Sequence, residues 1–89
     1  MLYIAEIDVM PQKEILDPQG KAVKLGLYNL GIINVNDVRI GKHITLEIDA
    51  QSEGIAYQMV ETSCKKLLAN LIMEDFVIKI SPKIHRFIQ

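Results

Sequence analysis

From Leu2 to Met10 the chain alternates, with Leu2, Ile4, Glu6, Asp8 and Met10 on one side and Tyr3, Ala5, Ile7 and Val9 on the other. A period of two marks a strand with one face buried, and Pro11, which has no N–H for a ladder, ends it. Asp17-Pro18-Gln19-Gly20 then predicts a helix start. Asp17 is suited to cap free backbone amides, and Pro18 fits the first helical position, where no intrahelical N–H bond is needed. Val23, Leu27 and Leu30 follow at helical spacing, and Gly31 predicts the stop because it takes positive φ without steric cost. Gly26 inside this helix predicts a close backbone approach, since glycine there costs about 1 kcal/mol relative to alanine.

Alternation returns between Val35 and Asp49, with Val38 and Ile40 before Gly41-Lys42 and Ile44, Leu46 and Ile48 after it. Gly-X is the pair that a two-residue type II′ turn requires, so a hairpin with Gly41 and Lys42 at its tip is predicted. Ser52-Glu53 predicts a second helix, carrying Ala56, Val60, Ser63 or Cys64, and Leu67 at spacings of three and four, with Lys65 and Lys66 near its C-terminal dipole and Asn70 as its stop. A last strand places Phe76, Ile78 and Ile80 on one face, and Pro82 ends it.

The order βαββαβ predicts an α+β protein: a ferredoxin-like two-layer sandwich with a four-stranded antiparallel sheet and two helices on one face. Residues 1–82 form this single domain, and residues 83–89 form a C-terminal tail. The chain has 89 residues, 49% of them apolar but only 6% aromatic, and fourteen are Ile, so the core is aliphatic and β-branched. A domain of this size buries only roughly 60–65% of the surface its unfolded chain exposes. So many aliphatics do not all fit inside one subunit, and self-association is expected.

A net charge of −1 and a pI near 6.1 lack the clustered Lys and Arg that phosphate contacts need, so nucleic acid is not expected as a partner. The sheet order is also that of RNA-recognition domains, but those stack bases on aromatics of the central strands, where this chain offers aliphatics, Thr45 and acids. One cysteine, Cys64, excludes an internal disulfide framework and fits a reducing cytoplasm. The N-terminus carries Glu6 and no basic stretch before an apolar run, so it does not read as a signal peptide. No apolar run approaches the roughly 20 residues that span a bilayer.

Candidate chemistry is sparse. His43 and His85 lack a second ligand at zinc-site spacing and read as surface imidazoles. Cys64, mid-helix beside the apolar stripe, reads as a small buried hydrophobe rather than a nucleophile. Glu47 and Asp49 share a strand face and read as solvated acids. The glycines form neither GxGxxG nor GxxxxGK[ST], so no phosphate loop is expected. Arg39 and Lys42, flanking Gly41, suit either a bound phosphate or carboxylate or a solvated turn.

Three segments carry a family resemblance: Leu16-Asp17-Pro18-Gln19-Gly20-Lys21-Ala22-Val23-Lys24, Asp37-Val38-Arg39-Ile40-Gly41-Lys42 and Cys64-Lys65-Lys66-Leu67-Leu68-Ala69-Asn70. In this order and spacing they closely resemble the PurS family, the small subunit of phosphoribosylformylglycinamidine synthase. The likeness runs over residues 3–80, and residues 81–89 match no pattern of the family. It implies a subunit without catalytic residues, cofactor or metal of its own, in a glutamine-dependent, ATP-driven ligase of purine biosynthesis.

In such a complex a glutaminase subunit releases ammonia, and a synthetase subunit binds ATP, magnesium and formylglycinamide ribonucleotide. The small subunit, a dimer or tetramer when free, is expected to bridge the two and to support ammonia transfer. Asp17, Pro18, Gln19, Gly20, Arg39, Gly41 and Lys42 are then expected at the partner interface. A small regulatory module that binds an effector at a dimer interface is the other reading of the same fold, since fold alone does not separate them.

Overall fold

The computed structural model describes residues 1–84. Strand β1 (Leu2–Pro11) keeps the predicted alternation, burying Tyr3, Ala5, Ile7 and Val9 and exposing Glu6 and Asp8. It is the central strand of a three-stranded sheet, flanked antiparallel by β2 (Lys42–Asp49) and β3 (Glu74–Pro82). The register stacks like with like on the core face: Ala5 lies between Leu46 and Ile80, and Ile7 between Ile44 and Ile78. These aliphatic neighbours hold the pairing, because a slip of one residue would turn the whole apolar set to solvent.

Helix α2 (Glu53–Ser63) starts at Ser52, whose hydroxyl accepts from the Ile55 N–H at 3.2 Å. Its inward residues Ala56 and Val60, together with Cys64, complete the core over β1 and β3. The helix ends in one π-helical turn (Cys64–Leu68), with the Ala69 N–H donating to the Cys64 carbonyl at 3.0 Å. Asn70 lies just beyond the helix and organises the turn into β3, its side-chain oxygen accepting from the Ile72 N–H at 3.1 Å.

Helix α1 (Pro18–Asn29) has the predicted ends. Asp17 caps it, Pro18 occupies its first turn, and Gly31 takes φ 88° after it. Ile32 N–H donates to the Leu27 carbonyl and Gly31 N–H to the Tyr28 carbonyl, both at 2.9 Å, the paired bonds of a Schellman closure. The predicted close approach at Gly26 is absent: a Cβ there would meet nothing within 4 Å.

Three predicted features differ. The sheet has three strands, because residues 32–41 form no strand and no hairpin turn stands at Gly41-Lys42. Gly41 has no positive φ, and Lys42 opens β2 opposite Val9. The Ile40 N–H donates to the Asp17 carboxylate at the start of α1 and the Val38 N–H to its neighbour Asp37, so these amides are engaged away from a strand ladder. The third difference is in the layers. Only α2 lies on the sheet, while α1 buries Gly20 alone and leaves Val23 42% and Leu30 76% exposed. The result is an open molecule of 50 × 37 × 15 Å with a radius of gyration of 17.2 Å, against about 12 Å for a compact chain of this length.

Beyond Pro82, the Lys83 N–H still donates to the Leu2 carbonyl at 2.8 Å, so the sheet pairing continues one residue into the predicted tail. Residues 85–89 of that segment, His85 included, lie outside the described residues.

Candidate functional site

At one end of the sheet, where β1 stops at Pro11 and β3 begins at Glu74, the three segments of the sequence resemblance meet. Asp17 is the tie between two of them. One carboxylate oxygen accepts from the Gly20 N–H at 3.0 Å and the other from the Ile40 N–H at 2.8 Å. These two amides, with the Arg39 charge adding to them, hold the Asp17 carboxyl below its ordinary range. Asp17 is therefore ionised and its acceptors are in use, which suits a structural tie and not a general base.

Gly20 and Gly41 are explained by space. A Cβ on Gly20 would run into the Val38 carbonyl oxygen, and one on Gly41 into the Met10 sulfur and the Val9 carbonyl. The 38–41 backbone is thus pressed between the first turn of α1 and the end of β1. The Lys24 ammonium donates to the Asn36 carbonyl at 2.7 Å, and the Arg39 guanidinium donates to the Pro11 carbonyl. On the other side, Gln12 N–H donates to the Met73 carbonyl at 2.8 Å, and Asn70 N–H to the Glu74 carboxylate at 2.8 Å.

Two adjoining hollows result. The larger, of about 280 Å³, is walled by Ile15, Leu16, Pro18, Gln19, Ile40 and Asn70, with Asp17 between it and its neighbour. The smaller, of about 140 Å³, is ringed by Lys13, Lys21, Arg39, Asp37 and Asp17. Of the expected interface residues, Asp17, Pro18, Gln19 and Arg39 are brought together here, and Gly20 and Gly41 frame the site through their backbones. Lys42 is not part of it and lines neither hollow. Lys13, Lys21 and Asn70 were not foreseen as site residues. Lys21, four residues after the Asp17 cap on the first turn of α1, carries a spacing signal, whereas Lys13 lies in the turn before the helix, where spacing gives none.

Elsewhere, polar residues of the open sheet face pair with one another. His43 Nδ1 lies 2.6 Å from Asp8 Oδ1, and its Nε2 lies 3.9 Å from Glu6 Oε1. Glu47 meets the Lys83 ammonium at 2.5 Å and Asp49 meets the N-terminal amine at 2.9 Å, so these two acids have separate counter-ions. Burial pushes the Cys64 thiol up from its ordinary value, and Glu61 adds to the effect. Among the described residues no group of three or more His, Cys, Asp or Glu is placed to hold a metal ion.

The family model of PurS, described as phosphoribosylformylglycinamidine (FGAM) synthase, matches residues 4–82. The chain belongs to the PurS family. A PurS subunit of Synechocystis sp. is 42% identical over 79 residues, 89% of this chain and 79% of that relative. The PurS subunit of Bacillus subtilis is 37% identical over 75 residues, 84% and 88% of the two chains. Among solved structures, Methanocaldococcus jannaschii PurS superposes with a TM-score of 0.81 at 34% identity, covering 92% of this chain and 99% of that one. A chain of the Thermotoga maritima PurLQS structure gives 0.82 at 30% identity, covering 91% and 99%. As a PurS subunit the chain is part of FGAM synthase, a glutamine-dependent ligase of purine biosynthesis. The α+β arrangement of two helices with an antiparallel sheet is that of the PurS structures.

Proposed function

We propose that this chain is the non-catalytic assembly subunit of its synthase, joining a glutaminase subunit to an ATP-dependent synthetase subunit and supporting ammonia transfer between them. ATP and magnesium belong to the synthetase on this reading, and the chain works without a cofactor, in the cytoplasm. Among the described residues no helix is long and apolar enough to cross a membrane. The Thermotoga maritima neighbour, a PurS chain within a PurLQS structure, supports the assembly role. Holding two reacting sites in a fixed orientation contributes to rate without chemistry of its own.

One observation carries the reading: the chain does not finish its own core. Val23, Leu30 and Ile33 are exposed along and after α1, while Ile44, Leu46 and Ile48 of β2 are only half-buried because α2 lies over β1 and β3. Apolar residues left open on both α1 and β2 mark an association face. A second copy of the chain covers it, giving a dimer or tetramer that presents the loop-end hollows, with Asp17, Pro18, Gln19, Gly20, Arg39 and Gly41, to the catalytic subunits. Lys42, at the start of β2, borders the same end of the sheet.

Sedimentation of the free chain, followed by titration into the two catalytic subunits with glutamine-dependent turnover as readout, tests this. A monomer that leaves turnover unchanged would overturn it.

A further inference from the structure

Most residues at the loop-end site have structural work. Asp17 ties two backbones, Gly20 and Gly41 permit close contact, and Asn70 shapes a turn. Lys13 and Lys21 have no such work: among the described residues neither ammonium has a hydrogen-bond or ion-pair partner, as is also true of Lys42, Lys66 and Lys79, but Lys13 and Lys21 line one hollow together with Arg39. Arg39 spends one guanidinium nitrogen on Pro11 and faces the same hollow as the two lysines.

The two acids in that hollow are already engaged. Asp17 is held by the Gly20 and Ile40 amides, and Asp37 accepts from the Val38 N–H at 3.0 Å. Three cations and two carboxylates line this space, which leaves it a net charge of +1, and both carboxylates already accept backbone N–H bonds. Immediately beside it, Leu16, 62% exposed, shares its walls with the larger and more apolar hollow.

We propose that this double hollow receives an acidic segment of a catalytic subunit, with a carboxylate placed among Lys13, Lys21 and Arg39 and a neighbouring apolar side chain against Leu16 and Pro18. The proposal rests on the assembly role above and names the chemistry of its partner. Charge complementarity selects the occupant. A carboxylate matches the one excess positive charge of the hollow, Arg39 is suited to meet it through two nitrogens, and an apolar anchor beside a charge is the usual composition of a protein contact.

The test uses the full chain with the two purified catalytic subunits, measuring affinity by titration calorimetry at several salt concentrations. The paired variant Lys13→Glu with Lys21→Glu is expected to bind about tenfold more weakly. Its affinity should also depend less on ionic strength, because screened attractions have been removed. Lys13→Gln with Lys21→Gln gives the same direction with a smaller loss, and it serves if the reversed charges disturb folding. Leu16→Ala should weaken binding without changing the salt slope, and Lys79→Gln, on the exposed face of β3 opposite Glu6, should change neither.

Unchanged affinity of both lysine pairs, with the complex still forming, would overturn this inference and leave the assembly role intact. A wild-type chain that binds neither catalytic subunit would overturn the assembly role itself. Inorganic phosphate that raises the melting temperature of the wild type but not of the lysine variants, with assembly unaffected, would assign the hollow to a small anion and overturn the proposal.

Discussion

Replacing Gly20 by Ala isolates the contact on which the loop-end site depends. On helix propensity alone the change stabilises, since alanine gains up to about 1 kcal/mol over glycine. Here the new Cβ would run into the Val38 carbonyl oxygen and approach the Asp17 carboxylate at 2.7 Å. Neither is free to give way, because Val38 lies two residues from Ile40, whose N–H is held by that same carboxylate. Forcing an extra carbon into a packed contact costs about 1–3 kcal/mol. With backbone as the obstacle the upper end applies, so the net expectation is a loss of about 2 kcal/mol after the propensity gain. For a domain this size that lowers the melting temperature by about 10 °C.

Gly54→Ala is the reference, because its Cβ meets nothing within 4 Å on the first turn of α2, and it should raise the melting temperature by about 3 °C. Both variants must be compared at one protein concentration, since association makes the transition concentration-dependent. Hydrogen exchange gives the local readout: the Ile40 amide should lose protection in Gly20→Ala and keep it in Gly54→Ala. A Gly20→Ala protein as stable as Gly54→Ala, with the Ile40 amide still protected, would refute the packing of 38–41 against α1.

Two titrations follow from the same structure. Asp17 has a lowered carboxyl pKa, so its stabilising effect is complete above the unfolded value of about 3.9 and is lost as pH falls through the lower folded value; protection of the Gly20 and Ile40 amides should therefore persist through pH 4 and fail below it, and Asp17→Asn should remove this step. Cys64 has a raised thiol pKa, so its contribution is present below the ordinary value of about 8.5 and is lost as pH rises through the folded value; the urea midpoint should fall more steeply in alkali for the wild type than for Cys64→Ala, and parallel slopes would refute the assignment.

Local chemistry was legible in the sequence wherever one residue and its neighbours decide the outcome. Asp17 and Pro18 open α1, Gly31 closes it, Ser52 opens α2, and the alternation of Tyr3, Ala5, Ile7 and Val9 names the core face of β1. The same signals failed where a distant contact decides. The spacing of Val38, Ile40, Ile44 and Leu46 looks like two strands, and Gly41-Lys42 looks like their turn, yet Gly41 is small to admit Met10 and Val9. A glycine required for space and a glycine required for φ are the same letter in a sequence. The site was legible in part: Arg39 belongs to it, but Lys42, three residues on, does not, because the chain enters β2 between them.

The misplaced elements share a cause. Helix α1 and the strand expected from Val35 to Gly41 were predicted to finish a sandwich, but α1 stands away from the sheet and residues 35–41 add no strand to it. Their apolar pattern is nonetheless real, since Val23, Leu27 and Leu30 repeat at helical spacing on a helix that buries only Gly20. A stripe of that kind is retained by a soluble fold only where something covers it. Periodicity reports that a face is covered without saying by which chain. The difference between the predicted compact sandwich and the open molecule is the apolar face left exposed on α1, the element whose start also carries Asp17, Pro18 and Lys21 to the loop-end hollows. Under the proposed assembly, a second copy would cover Val23, Leu27 and Leu30 while the start of the same helix faces the catalytic subunits, so that ordering α1 would also order the hollow at its start.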